Sequence, residues 1–130
     1  MLNRLRALWR RPREMPLDVR DPDLVVVAEA FDLAEADSAV LARSEQWRAE
    51  EQAVLRHHLV LPAREVDRAR EVLAQDGWTL VESGQGEPVP LHALRAQRLD
   101  VLSCAQERSR MAGLAQRLGG DWLGWDALQT

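Results

Sequence analysis

Three histidines and one cysteine are the side chains of this 130-residue chain whose chemistry is most versatile. His57 and His58 are adjacent in a run that predicts a β-strand, and His92 lies in another predicted strand. Because neighbouring side chains of a strand point to opposite faces, His57 and His58 cannot bind the same metal ion. His92 could bind a metal ion together with whichever of the two faces away from the helices. Two histidines without a carboxylate placed beside them are only weak evidence for a metal site. We therefore predict no metal site.

Cys104 lies near the start of a predicted helix, where the helix dipole lowers the pKa of a thiol. A nucleophile also needs a positioned base, and no residue pattern supplies one, so a packed cysteine is favoured. The sequence has neither a phosphate-binding loop nor a nucleophile elbow, and the Gly-Gln-Gly run at 84–86 lacks a strand-to-helix context. We predict no catalytic residue, no cofactor and, with one cysteine, no internal disulfide.

The elements that would position the histidines follow a regular order from residue 53. Alternating and turn-flanked patterns predict strands at 53–62, 78–82, 90–99 and 121–128, with helices at 63–77 and 103–118. Gly77 ends the first of these helices, and Ser103 caps the second. The order βαββαβ predicts an α+β, ferredoxin-like sandwich with two helices on one face of a four-stranded antiparallel sheet. Strands 53–62 and 90–99 would be central neighbours.

The region before this domain predicts a helical segment at 22–52. Asp21 would cap the helix with Pro22 at its first position, and apolar residues recur from Leu24 at helical spacing. The valine run at 25–27 would also suit a strand, but we predict a helix that breaks near Asp37 and resumes to about residue 52. The chain then divides into an arm and linker at 1–21, the helical segment at 22–52 and the domain at 53–130.

Charge is placed unevenly along the chain. Residues 1–13 contain five arginines and no acid, whereas residues 14–130 contain 12 arginines against 21 acids. An acidic body argues against nucleic-acid binding by the domain itself. The amphipathic arm could bind RNA or an anionic membrane surface, or simply pack on its own domain, and Met15 is an alternative start. The arm's candidate contacts are Arg4, Arg6, Arg10, Arg11 and Arg13.

The predicted location is the cytoplasm, without integral membrane association. The longest apolar run has five residues, far below the ~20 that cross a bilayer, and no secretory signal pattern is present. Five tryptophans are many for this length, and tryptophan and arginine are common interface anchors. A sheet face carrying such side chains predicts a protein partner. The candidate contact residues are His57, His58, His92, Arg95, Trp122 and Trp125.

Residues 53–128 resemble the regulator of ribonuclease E activity B family of small bacterial proteins. The resemblance is carried by the His57-His58-Leu59 strand, the helix ending at Gly77 and Trp78, and Leu114-Ala115 in the last helix. Trp122, Gly124 and Trp125 stand in the places of a closing Tyr-Asp-Gly-Trp-like motif. Leu123 replaces the family's aspartate, the family's long acidic C-terminal tail is missing, and the arginine-rich leader is extra.

The resemblance implies a non-enzymatic regulator that binds ribonuclease E, or a related nuclease assembly, and modulates RNA degradation. Two alternatives remain open from the residues alone. The first is a ligand-sensing or oligomerising module, including a homodimer. The second is an RNA- or ribosome-associated protein that uses the basic arm.

Overall fold

The structure is a computed structural model that describes residues 15–130. Within these residues, five strands form one antiparallel sheet in the order β1-β5-β2-β4-β3, and three α-helices accompany it. The strands are β1 (Val25–Ala30), β2 (Ala53–Leu61), β3 (Thr79–Glu82), β4 (Val89–Gln97) and β5 (Asp121–Gln129). The helices are α1 (Asp37–Arg43), α2 (Val66–Ala74) and α3 (Val101–Arg117), and a 3-10 turn at Ala63–Glu65 leads into α2. Among these residues no helix is long and apolar enough to cross a membrane.

The strand and helix order from residue 53 onward is confirmed. The strand predicted at 53–62 is β2, and it pairs along its whole length with β4, so these two strands are neighbours in the sheet. Gly77 ends the α2 region with a φ of +82°, a conformation that residues with a Cβ rarely adopt. The cap of α3 differs from the prediction. Asp100 is the N-cap, and Ser103 completes a capping box, with its backbone N–H donating to Asp100 at 2.7 Å.

The prediction of a helical segment at 22–52 is wrong, and so is the prediction of a four-stranded sheet. Residues 25–30 form the edge strand β1, which pairs antiparallel with β5 and makes the sheet five-stranded. Its β-branched valines fit the pleated surface, and pairing with β5 satisfies the backbone N–H and C=O groups along one edge of the strand. Only α1 is helical in this region, and residues 44–52 form turns rather than a continued helix. Asp21 accepts from the backbone of Asp23 in a turn and does not cap a helix.

Alternate residues of β2 separate the two faces of the sheet. Leu55, Leu59 and Leu61 face the helices and belong to the main core, which also contains Leu73 of α2 and Met111 of α3. A smaller apolar cluster of Val54, Leu94 and Leu128 lies on the other face, which we call the open face. Leu17, Val19 and Leu24 pack against that cluster, so residues 15–24 cover one end of the open face. The middle of the open face carries polar side chains.

The outer edge of β1 is partly covered by an arginine from α1. Arg43 donates from Nη2 to the backbone oxygen of Glu29 at 2.7 Å. Glu35 orients the same guanidinium by accepting from Nε and Nη2 at 2.9 and 2.8 Å. The hydrogen bond from Arg43 lowers the pKa of Glu35 below its usual value. One carbonyl at the edge of the sheet is therefore occupied by a side chain.

Candidate interaction surface on the open face of the sheet

Three central strands bring four polar side chains together on the open face. We call this group the polar layer: Arg56 and His58 from β2, His92 from β4 and Asp126 from β5. Arg56 and Asp126 are direct cross-strand partners, and so are His58 and His92. Because side chains two residues apart on a strand share a face, the sheet register alone places all four groups side by side.

Asp126 is the centre of the polar layer. It is 3% exposed and accepts from Arg56 Nε at 2.8 Å and from Arg56 Nη2 at 2.5 Å. Its Oδ1 also accepts from His58 Nε2 at 3.0 Å. Burial by itself raises the pKa of a carboxyl, but the hydrogen bonds from His58 and Arg56 outweigh it and hold the pKa of Asp126 below its usual value. Asp126 therefore stays a carboxylate that fixes both neighbours.

His58 and His92 present two imidazole rings toward solvent beside Asp126. Their centroids are 4.4 Å apart in an edge-to-face arrangement, and both residues are half-buried. A carboxylate only accepts hydrogen bonds, so His58 carries its proton on Nε2. Burial, helped by the nearby His58 and Arg56, lowers the pKa of His92 to about 4. His92 is therefore uncharged at neutral pH, when its ring can both donate and accept one hydrogen bond.

Phe31 extends the polar layer with an exposed apolar ring. It is 45% exposed, and its centroid lies 4.8 Å from that of His58, edge to face. Gly124, the β5 partner of His58, makes this placement possible. A Cβ at Gly124 would stand 2.6 Å from both the Phe31 ring and the oxygen of Ala30, and the φ of Gly124 is +137°. Only glycine fits there without displacing Phe31.

The chain matches no protein-family model. No curated protein and no solved structure is significantly similar to it. Within residues 15–130, no group of three or more histidine, cysteine or acidic side chains is arranged to hold a metal ion.

Two of the residues predicted to contact a partner are instead enclosed in the core. His57 and Trp125 are both 0% exposed on the helix-covered side of the sheet, so the prediction that they contact a partner is corrected. His57 accepts from Trp122 Nε1 at 3.0 Å, and burial lowers its pKa to about 3. Trp125 donates from Nε1 to the buried Asp37 at 3.1 Å. The bond at His57 joins the neighbouring strands β2 and β5, and the bond from Trp125 joins β5 to α1.

Arg95 and Trp122 also lie on the helix-covered side, away from the polar layer. The Arg95 guanidinium is 4.3 Å from the centroid of Trp78 and donates to Glu107 of α3 at 3.0 Å. Trp122 is half-buried, with the Arg108 guanidinium 5.2 Å from its ring centroid. The predicted set therefore divides: His58 and His92 meet on the open face, and the other four face the helices.

Cys104 is packed, as predicted. Its side chain is 1% exposed within the main core. Burial, with smaller effects from Asp37 and Asp100, raises the pKa of the thiol to about 12, so the helix dipole does not produce a thiolate. The candidate arginines of the arm, Arg4, Arg6, Arg10, Arg11 and Arg13, lie outside the described residues.

Sequence reasoning missed Arg56, Asp126 and Phe31. The period of a strand could have indicated Arg56, since it lies two residues before His58 and must share its face. Asp126 could have followed from the antiparallel pairing of the first and last strands of the predicted domain. No sequence pattern indicates the position of Phe31, because that position depends on β1, for which the sequence predicts a helix.

Proposed function

We propose that this protein is a non-enzymatic regulator that binds a protein partner through the open face of its sheet. The observation that carries the proposal is the polar layer, in which Asp126 fixes Arg56 and His58 in place before any partner arrives. Groups held in one geometry lose little conformational entropy on binding. The exposed Phe31 ring beside them supplies an apolar anchor of the kind that dominates interface energetics.

We propose that the fold is ferredoxin-like with one added edge strand. Strands β2 to β5 follow the βαββαβ order, and they lie side by side as β5-β2-β4-β3. Residues of α2 and α3 pack in the same core, on one face of the sheet. Together with the resemblance over residues 53–128, this arrangement supports ribonuclease E, or a related nuclease assembly, as the partner. Regulation of RNA degradation in the cytoplasm is the corresponding role.

The mechanism in this proposal is occupation of a nuclease surface. Arg56 and Asp126 balance each other in charge and His92 is neutral at pH 7, whereas Glu29, the exposed β1 partner of Asp126, adds a negative charge, so the open face does not attract phosphate. A mixed apolar and hydrogen-bonding surface on the nuclease would match it best. Binding at such a surface would slow or redirect cleavage without any chemistry by this chain.

The test is direct titration of purified ribonuclease E with the full chain, followed by cleavage assays on a labelled RNA. We expect saturable binding in isothermal calorimetry and a change in cleavage rate with the same midpoint. Phe31→Ser should weaken binding about tenfold, which corresponds to one interface anchor of ~1.4 kcal/mol. Leu102→Ser is the matched control, because Leu102 is 67% exposed but lies on α3.

Melting curves of both variants separate lost binding from lost folding. Absence of binding by the well-folded wild-type chain would contradict ribonuclease E as the partner. Equal losses for Phe31→Ser and Leu102→Ser would contradict the open face as the binding surface.

A further inference from the structure

The helix layer carries a second surface with a composition unlike the open face. A groove of about 420 Å³ lies between α2 and the end of α3, with Val72, Leu114 and Leu118 as its apolar lining. Arg68 of α2 and Arg117 of α3 are its remaining lining residues, so each helix contributes one cation and neither contributes an acid. The helices cover the sheet face opposite the polar layer, so this groove and the polar layer are independent surfaces.

The two arginines of the groove are available for an incoming ligand. Both are exposed, and within residues 15–130 neither forms an ion pair or a side-chain hydrogen bond. Other arginines of the same helices are already paired, Arg70 with Asp67 and Arg110 with Asp76. The groove therefore has an apolar floor and unmet positive charge.

Gly113 lies beside the Arg117 guanidinium on α3. It lies one turn before Arg117, and the Arg117 Nη1 atom is 3.5 Å from where a Cβ of residue 113 would stand. Glycine inside a helix is unfavourable by about 1 kcal/mol relative to alanine.

We propose that this groove binds an acidic amphipathic segment of a partner protein. Apolar side chains of the segment, spaced along one helix face, would pack on Val72, Leu114 and Leu118. Carboxylates on both flanks of that face would pair with Arg68 and Arg117. Grooves between helices commonly accept a helix in this way, through apolar anchors at i, i+3 or i+4 and i+7. RNA is less suited, because two arginines around an apolar floor offer no continuous track for phosphates.

The experiment measures binding of fluorescein-labelled model peptides to the full chain by anisotropy. One peptide has leucines at helical spacing flanked by glutamates, a second has lysines in place of the glutamates, and a third probe is a single-stranded RNA oligonucleotide. We expect the chain to bind the glutamate peptide, with the affinity falling as salt increases. Binding of the RNA or the lysine peptide at equal or higher affinity would overturn the proposal, as would no binding of the glutamate peptide.

Charge exchange tests the assignment to these two arginines. Arg68→Glu with Arg117→Glu should weaken binding of the glutamate peptide about tenfold, the effect of losing two partly exposed ion pairs. The same variant should gain affinity for the lysine peptide. Arg20→Glu with Arg48→Glu changes net charge equally at exposed residues outside the groove, and Arg48 lies at the far end of β5, so this variant should have little effect. Equal effects of the two double variants, with both folded by circular dichroism, would overturn the proposal.

Discussion

Arg56 and Asp126 face each other across β2 and β5 and are joined by two hydrogen bonds, which the guanidinium donates from Nε and Nη2. Bidentate pairing of this kind restricts geometry more than a single contact does. Because His58 donates to the same carboxylate, loss of one charge disturbs three side chains at once.

Substitution Asp126→Asn should lower the free energy of unfolding by about 2–3 kcal/mol. The amide keeps the size of the side chain but removes the charge and turns one acceptor into a donor, which faces the donors of Arg56 and His58. Urea denaturation followed by circular dichroism measures the change. Asp67→Asn is the control, since Asp67 pairs with Arg70 at the surface and should leave stability nearly unchanged. Equal stability losses would contradict a central role for Asp126.

Stability should fall as the pH decreases from 7 toward 4. The pKa values of His57 and His92 are lowered to about 3 and about 4, whereas an unfolded histidine titrates near 6.5. Below pH 6.5 the unfolded chain therefore binds protons that the folded chain does not, which favours unfolding. His57 alone should account for about 2 kcal/mol at pH 5.

The variant His57→Gln tests this assignment of the pH dependence. Its Oε1 could still accept from Trp122 Nε1, but the side chain does not titrate. Urea titrations at pH 7, 6 and 5 should show a shallower loss of stability in the variant. The same slope in variant and wild type would mean that His57 is not responsible.

Two glycine-to-alanine substitutions should have opposite effects. Gly124→Ala would place a Cβ 2.6 Å from Phe31 and from a backbone oxygen at a φ of +137°, and it should destabilise the fold by about 2 kcal/mol or more. Gly113→Ala is in a helix where the new Cβ would lie 3.5 Å from Arg117 Nη1, and it should stabilise the fold by about 0.5–1 kcal/mol. Thermal unfolding of both variants measures whether each substitution raises or lowers the stability of the fold. A neutral Gly124→Ala would show that Phe31 does not pack as described.

Cys104 should be unreactive in the folded protein. Its thiol is buried, and its pKa of about 12 leaves almost no thiolate at pH 8. Labelling with a chromogenic disulfide reagent should be slow in buffer and complete within minutes in concentrated urea. Rapid labelling of the folded chain at pH 8 would contradict the packed position.

The elements after residue 53 could be predicted because their sequence signals are local. Pro62, Gly77 and the glycines at 119–120 mark boundaries through backbone conformation alone, and largely apolar runs bounded by proline or turn residues identify β2 and β4. β1 could not be recognised in this way. Over so short a run its valines fit both the helix period and the strand period. Its pairing partner β5 lies about a hundred residues later in the chain.

The candidate site depends on the register between strands, which one sequence does not give. The strand period correctly predicts that the adjacent histidines lie on opposite faces, but which face is open depends on where the helices pack. Tryptophan enrichment suggests contacts at Trp122 and Trp125, whereas both rings face the helix layer and Trp125 is fully enclosed by it. Aromatic residues supply packing area in a small core as readily as at an interface, so their number alone does not distinguish the two.

The hydrogen bond from Arg43 to the Glu29 carbonyl protects the outer edge of β1 against edge-to-edge aggregation. β1 has three valines in succession and no proline, and its outer edge would otherwise be a template for another extended chain. A charged guanidinium over one carbonyl blocks continuous ladder formation along that edge. Loss of Arg43, or of Glu35 that orients it, would open this edge to pairing with another extended chain.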